Sequence, residues 1–494
     1  MKKKYIYISI EVFNREIYGA LNLSQAAISE NYNVILGDRQ SFLKNINSLP
    51  KGVLFYKSAS LIDEPFYNAF FRLGHKLVCL DAEGLAFYNF DYFFKNRLTL
   101  SNLKKLEYYF LWGSKQYEVA IKKFPDFKKK FKVTGGLIAV NWFINEELFQ
   151  QNKKKEKSLI FFTSFGLFNH FSNDQMKDNL QKKIYKLDKK DEKMIYNYSK
   201  YIKKLFFDYQ IIIEKLAKLI APIKIFIKIH PSENPKPWED LAEKNENIEI
   251  SEESVEQLIS LDGIIVQSES TTGIQSEINK KRSFSYIPKE YKDSKIPLTI
   301  IKKISNIFYD IDEFVNKIQE NLKVPRFNYK SDEYLSKYLN NLNQKNVSKL
   351  ILMNLNNLDI IPAKNIKISN SLPYFKLFYV FFLCIIKSKF AKLFKLLPNN
   401  FQHISDEQYL AYGPPKKQFF HFLGLVSKKS IFKIFLPNFI KEKILKKKEE
   451  SELYKKKKRQ NLNLKFLVKN FSLLLNYKTK ELNQNLILIE KKKY

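Results

Sequence analysis

Two groups of polar residues in the middle of the chain could together bind a phosphate. In the first group, isoleucines alternate with other residues from 223 to 229, which predicts a β-strand. Pro231 cannot donate to a sheet ladder and restricts the residue before it, so the strand is expected to end at His230. Open α/β sheets bind ligands at the carboxyl ends of their strands, and His230 brings a titratable imidazole to that edge. The residues of this first group are His230, Pro231, Ser232 and Glu233.

The second group, from Ser268 to Thr272, is rich in hydroxyl side chains. It follows an apolar run at 263–266 and precedes a stretch with helical character that begins at Ile274. Backbone N–H groups and hydroxyls at the start of a helix attract anions. A serine or threonine there is ordinarily only an N-cap, and a lone His-Pro is ordinarily a loop, but both within one αβ unit favour a phosphate-bearing ligand. The residues of this second group are Ser268, Ser270, Thr271 and Thr272.

Strands and helices alternate in two series, and these series must position both groups. The first series closes near Gly135-Gly136, and the second begins at Ser158 after a charged linker at 151–157. Such alternation indicates a parallel, doubly wound sheet in each series. We therefore predict an α/β fold with two Rossmann-like domains, 1–150 and 158–330, that face each other across a cleft.

Size and composition restrict the class of protein. The chain has 494 residues, too many for a single hydrophobic core, and 45% of them are apolar, which excludes a disordered chain. The two cysteines, Cys79 and Cys384, both lie in apolar runs, which indicates a reducing compartment. The short apolar run after Lys4 is followed by Glu11 and Arg15, so we interpret it as a first strand and not as a signal peptide. No run reaches the roughly 18 apolar residues of a membrane span, and a cytoplasmic location is expected.

Beyond residue 330 the composition changes. Residues 331–494 hold 32 Lys and Arg against 11 Asp and Glu, a large part of the net charge of +34. We expect a closing helix at 331–350, followed by a basic, amphipathic and mostly helical extension at 351–494. Ten apolar residues at 377–386 precede lysines interleaved with Phe and Leu, a pattern typical of a helix in a bilayer interface and equally of a helix packed on the core. One expected partner is an anionic membrane surface, bound peripherally on the inner face through 350–460.

The positive charge by itself identifies no partner. A basic chain can meet lipid or nucleic acid, but no nucleic-acid-binding motif occurs, so no specific nucleic acid is expected. An AT-rich genome favours Lys, Asn, Ile and Phe, and the low count of 13 glycines fits that bias. Genome composition therefore explains part of the charge.

Short motifs, taken in their order, resemble a known family. The chain is similar to the bacterial surface carbohydrate biosynthesis proteins at Leu80-Asp81-Ala82-Glu83-Gly84, at Phe110-Leu-Trp112-Gly113, at Thr134-Gly135, and at Ile229-His230-Pro231-Ser232-Glu233 with the downstream Trp238. Those proteins are in turn similar to the GT-B nucleotide-sugar transferases of capsule and lipopolysaccharide assembly. The resemblance covers about residues 5–330 and implies a GT-B-like transferase.

More distantly, the acidic motif and the His-Pro motif resemble bacterial sialyltransferases and polysialyltransferases, which use CMP-activated donors. The resemblance implies Glu83 as the general base on the acceptor hydroxyl and His230 as the group that contacts or protonates the donor phosphate. Because Ala82 stands where a further acidic residue is expected, Asp81 competes with Glu83 for the role of base. The chain has Gly135-Gly136-Leu137 where relatives tend to have Gly-Asn-Pro-Arg. The phosphate cradle implied by the resemblance consists of Ser270, Thr271 and Thr272.

Glycosyl transfer from a nucleotide donor needs a carboxylate for the acceptor proton and groups that stabilise the departing phosphate. We expect a metal-independent glycosyltransferase of surface polysaccharide biosynthesis, with a nucleotide-activated sugar, CMP-linked by preference, as co-substrate and no cofactor. The acceptor is expected to be a glycan or a lipid-linked saccharide. A CDP-polyol phosphotransferase, a sugar-nucleotide epimerase and a non-catalytic sugar-nucleotide binder remain alternatives. An N-cap role for Glu83 also stays open, and Lys57 and Arg97 are further cleft candidates.

Overall fold

Two β-sheets, each enclosed between apolar clusters on both faces, form the framework of the described part of the chain. One has six parallel strands, and the other has six parallel strands extended by an antiparallel hairpin. The computed structural model describes residues 3–11, 13–85, 90–142, 157–170, 189–230, 232–268, 270–296, 302, 305–323, 332–340, 345–362, 477–483 and 486–491. The predicted α/β fold with two Rossmann-like domains facing a cleft is confirmed.

The N-terminal domain contains six parallel strands in the order β2-β1-β3-β4-β5-β6. The strands are β1 (Lys4–Ser9), β2 (Tyr32–Gly37), β3 (Val53–Tyr56), β4 (Lys76–Leu80), β5 (Tyr108–Leu111) and β6 (Phe131–Val133). The helices are α1 (Phe13–Ser29), α2 (Arg39–Asn45), α3 (Glu64–Arg72), α4 (Phe90–Arg97), α5 (Leu100–Lys105) and α6 (Ser114–Lys123). The strand order reverses between β1 and β3, so the loops that follow these two strands open a crevice at the carboxyl edge.

The second domain has the Rossmann strand order, β12-β11-β10-β7-β8-β9. The strands are β7 (Ser158–Phe162), β8 (Lys224–Lys228), β9 (Ile248–Ile250), β10 (Gly263–Gln267), β11 (Ser283–Tyr286) and β12 (Asn306–Phe308). The helices are α7 (Lys189–Ile220), α8 (Lys236–Lys244), α9 (Val255–Ser260), α10 (Thr271–Ile278) and α11 (Ile311–Lys323). Its crevice lies between β7 and β10, next to β8, and both predicted phosphate groups follow strands at this edge.

After α11 the chain returns to the N-terminal domain in two helices, α12 (Asp332–Tyr338) and α13 (Lys345–Asn356). Leu335 of α12 and Ile351 of α13 lie in the same apolar cluster as residues of α1 and β1. The predicted closing segment at 331–350 therefore consists of parts of two helices, and their apolar residues fasten the end of the second domain to the first.

Glycines make room for this returning segment. A Cβ on Gly113 would lie 2.5 Å from the carbonyl carbon of Tyr338. Gly135 has a φ of 94°, and a Cβ there would overlap the carbonyl oxygen of Asn340. The N–H of Asn340 donates to the Trp112 carbonyl at 2.8 Å. Gly113 and Gly135 thus accommodate the chain's own backbone.

The described end of the C-terminal extension differs from the helical prediction. It is a β-hairpin of β13 (Tyr477–Asn483) and β14 (Leu486–Lys491), and β14 pairs antiparallel with β2. Leu and Ile at 486–489 favour a strand, and β2 would otherwise expose an unpaired sheet edge. The predicted amphipathic stretch and nearly all of the predicted membrane-binding segment, 363–460, lie outside the described residues. Among the described helices, none has the length and apolarity that a membrane span requires.

Candidate functional site

The loop after β4 presents one carboxylate outward and buries the other. Asp81 is 1% exposed, and its two oxygens accept from Arg97 at 2.9 Å (Nη2–Oδ1) and 3.0 Å (Nε–Oδ2). Asp81 also accepts from the backbone N–H of Glu83 at 2.8 Å. The side chain of Glu83 is 36% exposed. Burial raises the pKa of Asp81 although Arg97 opposes the shift. We therefore no longer assign Asp81 as a competing base, because its buried side chain positions the loop. Glu83 stays the candidate base.

An enclosed indole fixes the position of this loop. Trp112 donates from Nε1 to the Asp81 carbonyl at 2.7 Å. A Cβ on Gly84 would overlap the indole, and one on Gly136 would lie 2.5 Å from it, so the ring needs glycine at both positions. The N–H of Ala82 donates to the Lys57 carbonyl at 2.9 Å and joins the loop to the end of β3. These contacts explain in structural terms why the acidic, Trp-Gly and Gly-Gly motifs occur together.

Arg15 of α1 pairs with Glu83. Its Nη1 lies 2.7 Å from Glu83 Oε1, and its Nη2 lies 3.1 Å from Glu16 Oε1. Lys57, at the end of β3, pairs with Glu11 and lies 3.7 Å from Glu16. Burial alone would raise the pKa of Glu83, but the neighbouring cations, first of all Arg15, lower it below its ordinary value. In the ligand-free protein Glu83 is therefore an ionised and weakly basic carboxylate.

Burial has the opposite consequence for Lys57. It lowers the pKa of this lysine to about 8, in spite of the carboxylates nearby. The side chain is 17% exposed and lies at the carboxyl end of β3, beside the crevice. Lys57 is therefore a cleft residue, as the sequence suggested, whereas Arg97 is committed to Asp81.

His230 follows β8 by two residues, as its predicted place at a strand end requires. Its Nδ1 lies 2.8 Å from Ser232 Oγ and 3.3 Å from the backbone nitrogen of Ser232. Because a backbone N–H only donates, Nδ1 is the acceptor, and the proton of the neutral ring lies on Nε2. Desolvation lowers the pKa of His230. The exposed ring is therefore neutral at pH 7 and can donate one hydrogen bond from Nε2.

A chain of hydrogen bonds holds the backbone of His230. The His230 N–H donates to Thr163 Oγ1 at 3.0 Å, and this hydroxyl donates to Glu233 Oε1 at 2.8 Å. Glu233 also accepts from the Phe165 N–H at 2.8 Å and from Trp238 Nε1 at 3.1 Å. Glu233 is 4% exposed, and burial raises its pKa to about 7 against the effect of these donors. We therefore revise Glu233 from a ligand contact to a residue that positions His230; Pro231 lies outside the described residues.

The hydroxyl group at 268–272 forms the start of α10. Ser270 is its N-cap, accepting from the Thr272 N–H at 3.1 Å, and the two hydroxyl oxygens lie 2.7 Å apart. Thr271 is the first residue of the helix. Ser268 is 1% exposed, and its hydroxyl has no hydrogen-bond partner. The N-cap interpretation thus applies to Ser270, and the positive end of α10 points toward the carboxyl edge.

The two domains bring their candidate residues to one cleft. Across the cleft Glu83 raises the pKa of His230, and Arg15 lowers it. The pKa of Tyr18 on α1 is raised mainly by burial and in addition by Glu256 of α9. The two domains therefore also face each other at α1 and α9, away from Glu83 and His230. Glu83 and His230, 147 positions apart in the sequence, are therefore within electrostatic range of each other.

No cluster of metal-ligating side chains occurs among the residues that the structure describes. The chain contains one Asp-x-Asp sequence, Asp310-Ile311-Asp312, at the start of α11. Asp310 accepts from the Glu313 N–H at 2.9 Å as an N-cap, and Asp312 pairs with Lys215 at 2.5 Å. These two aspartates have structural partners in their own domain.

Arg15 and Thr163 are the site residues that the sequence analysis missed. Arg15 served there only as an argument against a signal peptide, although it stands in the first turn of α1, directly after β1. Thr163 follows β7 directly, at the reversal point of the second sheet. The first βα turn of each Rossmann-like domain is a usual ligand site, and this rule is the signal that could have found both residues.

Comparisons with known proteins complete the description of the site. No protein-family model matches the chain, and no curated protein matches it significantly. Among solved structures, the UDP-GlcNAc 2-epimerase from Neisseria meningitidis bound to UDP-GlcNAc is 13% identical, with 72% of this chain and 100% of that chain covered and a TM-score of 0.43. The S. aureus MnaA–UDP structure is 12% identical (74% and 100% covered, TM-score 0.41), and the wall teichoic acid polymerase TagF is 10% identical (72% and 88% covered, TM-score 0.39). Likenesses of this size assign no activity to the chain.

Proposed function

We propose that the chain is a glycosyltransferase that moves a sugar from a nucleotide-activated donor to a hydroxyl of a surface-glycan acceptor. The observation that carries this proposal is that Glu83 follows β4 of one sheet and the neutral imidazole of His230 follows β8 of the other, each at a carboxyl edge. In a displacement at the anomeric carbon, the carboxylate can accept the proton of the attacking hydroxyl and the imidazole can stabilise the departing phosphate. The sequence resemblance favours a CMP-linked donor and a glycan or lipid-linked acceptor.

In the proposed reaction, Glu83 accepts the proton of the acceptor hydroxyl as its oxygen forms a bond to the anomeric carbon. The bond between that carbon and the phosphate oxygen breaks, and the electron pair leaves with the nucleotide. His230 donates from Nε2 to a phosphate oxygen, and the amino end of α10 adds partial positive charge. The donor's own phosphate is the leaving group, so the step needs no oxidant and no cofactor.

The first experiment identifies the donor. Thermal denaturation of the full chain is measured with CMP, CDP, UDP and GDP, because a ligand that binds only the folded protein raises the melting temperature. Transfer is then measured by mass spectrometry with sugars linked to the stabilising nucleotide. CDP-linked polyols and UDP-GlcNAc are included, since a polyol-phosphate product or an epimerised sugar would replace the proposed activity by one of its alternatives.

Matched variants test the two residues. We expect Glu83→Gln to lower kcat by at least about 100-fold and His230→Ala to abolish transfer, with little change in melting temperature for either. The control is Glu107→Gln, because Glu107 is also 36% exposed and ion-paired, to Lys76 at 2.9 Å, but lies at the amino end of the strands. Full activity in Glu83→Gln would refute its role as base. Equal losses in Glu83→Gln and Glu107→Gln would indicate a general effect on the fold.

A further inference from the structure

Arg15 is a cation of the cleft that holds the candidate base. Arg15 binds Glu83 through Nη1 and Glu16 through Nη2, and its buried Nε–H has no hydrogen-bond partner among the described residues. Its charge also lowers the pKa of His230, so it acts on the imidazole of the second domain as well as on Glu83. Arg97 is bound in bidentate fashion to the buried Asp81. Arg97 is therefore held by a buried carboxylate, whereas Arg15 pairs with the partly exposed Glu83.

A donor phosphate needs more positive charge than His230 and the amino end of α10 provide. His230 is neutral and offers one hydrogen bond, and a helix amino end such as that of α10 is equivalent to about half an elementary charge. A phosphodiester brings at least one full negative charge into a partly dehydrated cleft. Guanidinium groups bind phosphate oxygens with two parallel hydrogen bonds, a geometry that lysine does not offer.

We propose that Arg15 exchanges partners during the reaction: it pairs with Glu83 in the free protein and turns to the donor phosphate when the nucleotide-activated sugar binds. This inference rests on the proposed glycosyl transfer and adds an order to it. The donor must bind first, because only its phosphate removes the cation that holds Glu83. The acceptor hydroxyl then meets a carboxylate that is free to accept its proton.

The exchange changes the strength of the base. Burial raises the pKa of Glu83, and Arg15 is the first of the cations that outweigh burial in the free protein. When Arg15 moves to the phosphate, the effect of burial on the pKa of Glu83 is opposed by fewer cations. The pKa then rises and the carboxylate becomes more basic. The charged and titratable groups that face Glu83 are Arg15 from α1, Lys57 after β3, Asp81 after β4, Arg97 from α4 and His230 after β8.

Replacement of Arg15 by methionine tests the exchange. We expect Arg15→Met to weaken the binding of CMP and CDP, measured by calorimetry, by about tenfold to a hundredfold, as for the loss of a hydrogen bond to a charged group. Arg15→Lys should recover part of the affinity, because the charge remains but the paired geometry is lost. The matched control is Lys76→Met, which removes the cation of the Lys76–Glu107 pair at the opposite edge of the same sheet and should leave nucleotide affinity unchanged.

The pH dependence separates the exchange from a purely structural role. In the wild type, the acidic limb of kcat should lie at higher pH than that of kcat/KM, since Glu83 loses Arg15 only in the donor complex. In Arg15→Met the acidic limb of kcat/KM should move to higher pH. The pH difference between the acidic limbs of kcat and kcat/KM should then disappear. Glu83→Gln should bind CMP a few-fold more tightly than the wild type, because Arg15 then has no competing partner there; this variant replaces Arg15→Met if the latter fails to fold.

The outcomes distinguish the two proposals. If the wild type binds none of the nucleotides, the proposed function fails, and the exchange fails with it. If the wild type binds nucleotide and transfers sugar, but Arg15→Met has wild-type nucleotide affinity and an unchanged acidic limb of kcat/KM, the exchange is refuted. The proposed glycosyltransferase function is then unaffected. If Arg15→Met and Lys76→Met weaken binding equally, the effect belongs to the net charge of the domain and the exchange is likewise refuted.

Discussion

Protonation of the Glu233 carboxyl near neutral pH is a sharp test of how the His230 side of the cleft is built. Glu233 lies inside the second domain with donors from Thr163, Phe165 and Trp238 around it, and its hydrogen bond to Thr163 reaches the backbone of His230. Burial raises its pKa to about 7, although these donors act against the shift. The perturbation is therefore a change of pH from 5 to 8, together with the substitution Glu233→Gln.

The size and sign of the effect follow from the pKa. The ordinary value for a glutamate is 4.5 and the value here is about 7, and each pKa unit corresponds to about 1.4 kcal/mol, so the shift is equivalent to about 3 kcal/mol. The folded protein holds this proton more tightly than the unfolded chain. The contribution to stability is therefore complete below pH 4.5 and is lost as the pH rises to about 7. Between pH 4.5 and just above pH 7, the unfolding free energy of the wild type should fall by about 3 kcal/mol relative to that of Glu233→Gln.

Trp238 provides the assay, because its indole N–H donates directly to Glu233. The chain has three tryptophans, so the nitrogen-edited NMR spectrum contains three indole signals. The Trp238 signal should shift with a midpoint near pH 7, and that shift should be absent in Glu233→Gln. The Trp112 signal, whose N–H donates to the Asp81 carbonyl, is an internal control and should stay constant. A midpoint below pH 5, or an unchanged step in Glu233→Gln, would refute the reasoning.

Three further predictions concern packing, a buried charge and the tail. Gly136→Ala should destabilise the N-terminal domain by about 1–3 kcal/mol, seen as a lower melting temperature, because the new Cβ overlaps the Trp112 indole; an unchanged melting temperature would contradict this. Arg97→Met should cost about 3–5 kcal/mol by leaving Asp81 buried and unpaired, and the added change Asp81→Asn should recover most of the loss in denaturant unfolding. Residues 350–460 are proposed to bind anionic membranes, so the full chain should float with anionic vesicles at low salt and be released at high salt; protein that stays in solution at low salt would reject the proposal.

Local patterns were enough to find the strand ends. Alternating isoleucines and the proline at 231 predicted a strand end at His230, two residues beyond the observed end of β8 at Lys228, and the hydroxyls before 274 marked the start of α10. These predictions succeeded because side-chain alternation, the missing proline N–H and helix capping act within a few residues. The C-terminal hairpin was not predicted, because its strands gain stability only from pairing with β2, more than 440 positions away.

The motifs themselves were found, but the role of several could not be read from their residue types. Asp81 and Glu83 have the same functional group two positions apart, and the burial of one against Arg97 separates a positioning residue from a cleft residue. Gly136 was noted only as a departure from the motif of relatives, whereas it makes room for the indole of Trp112. Such roles depend on which distant side chain occupies the adjacent space.

The sequence by itself determined the two Rossmann-like domains and the strand ends that carry Glu83 and His230, since hydrophobic periodicity and breaker residues act locally. The tertiary structure alone decided which carboxylate faces the cleft, how Glu233 holds His230 through Thr163, and that Arg15 pairs with Glu83. The physical reason is that pKa values, ion pairs and burial depend on the fields and volumes of groups that meet only after folding. In this cleft those groups come from α1, from the ends of β3, β4, β7 and β8, and from α4.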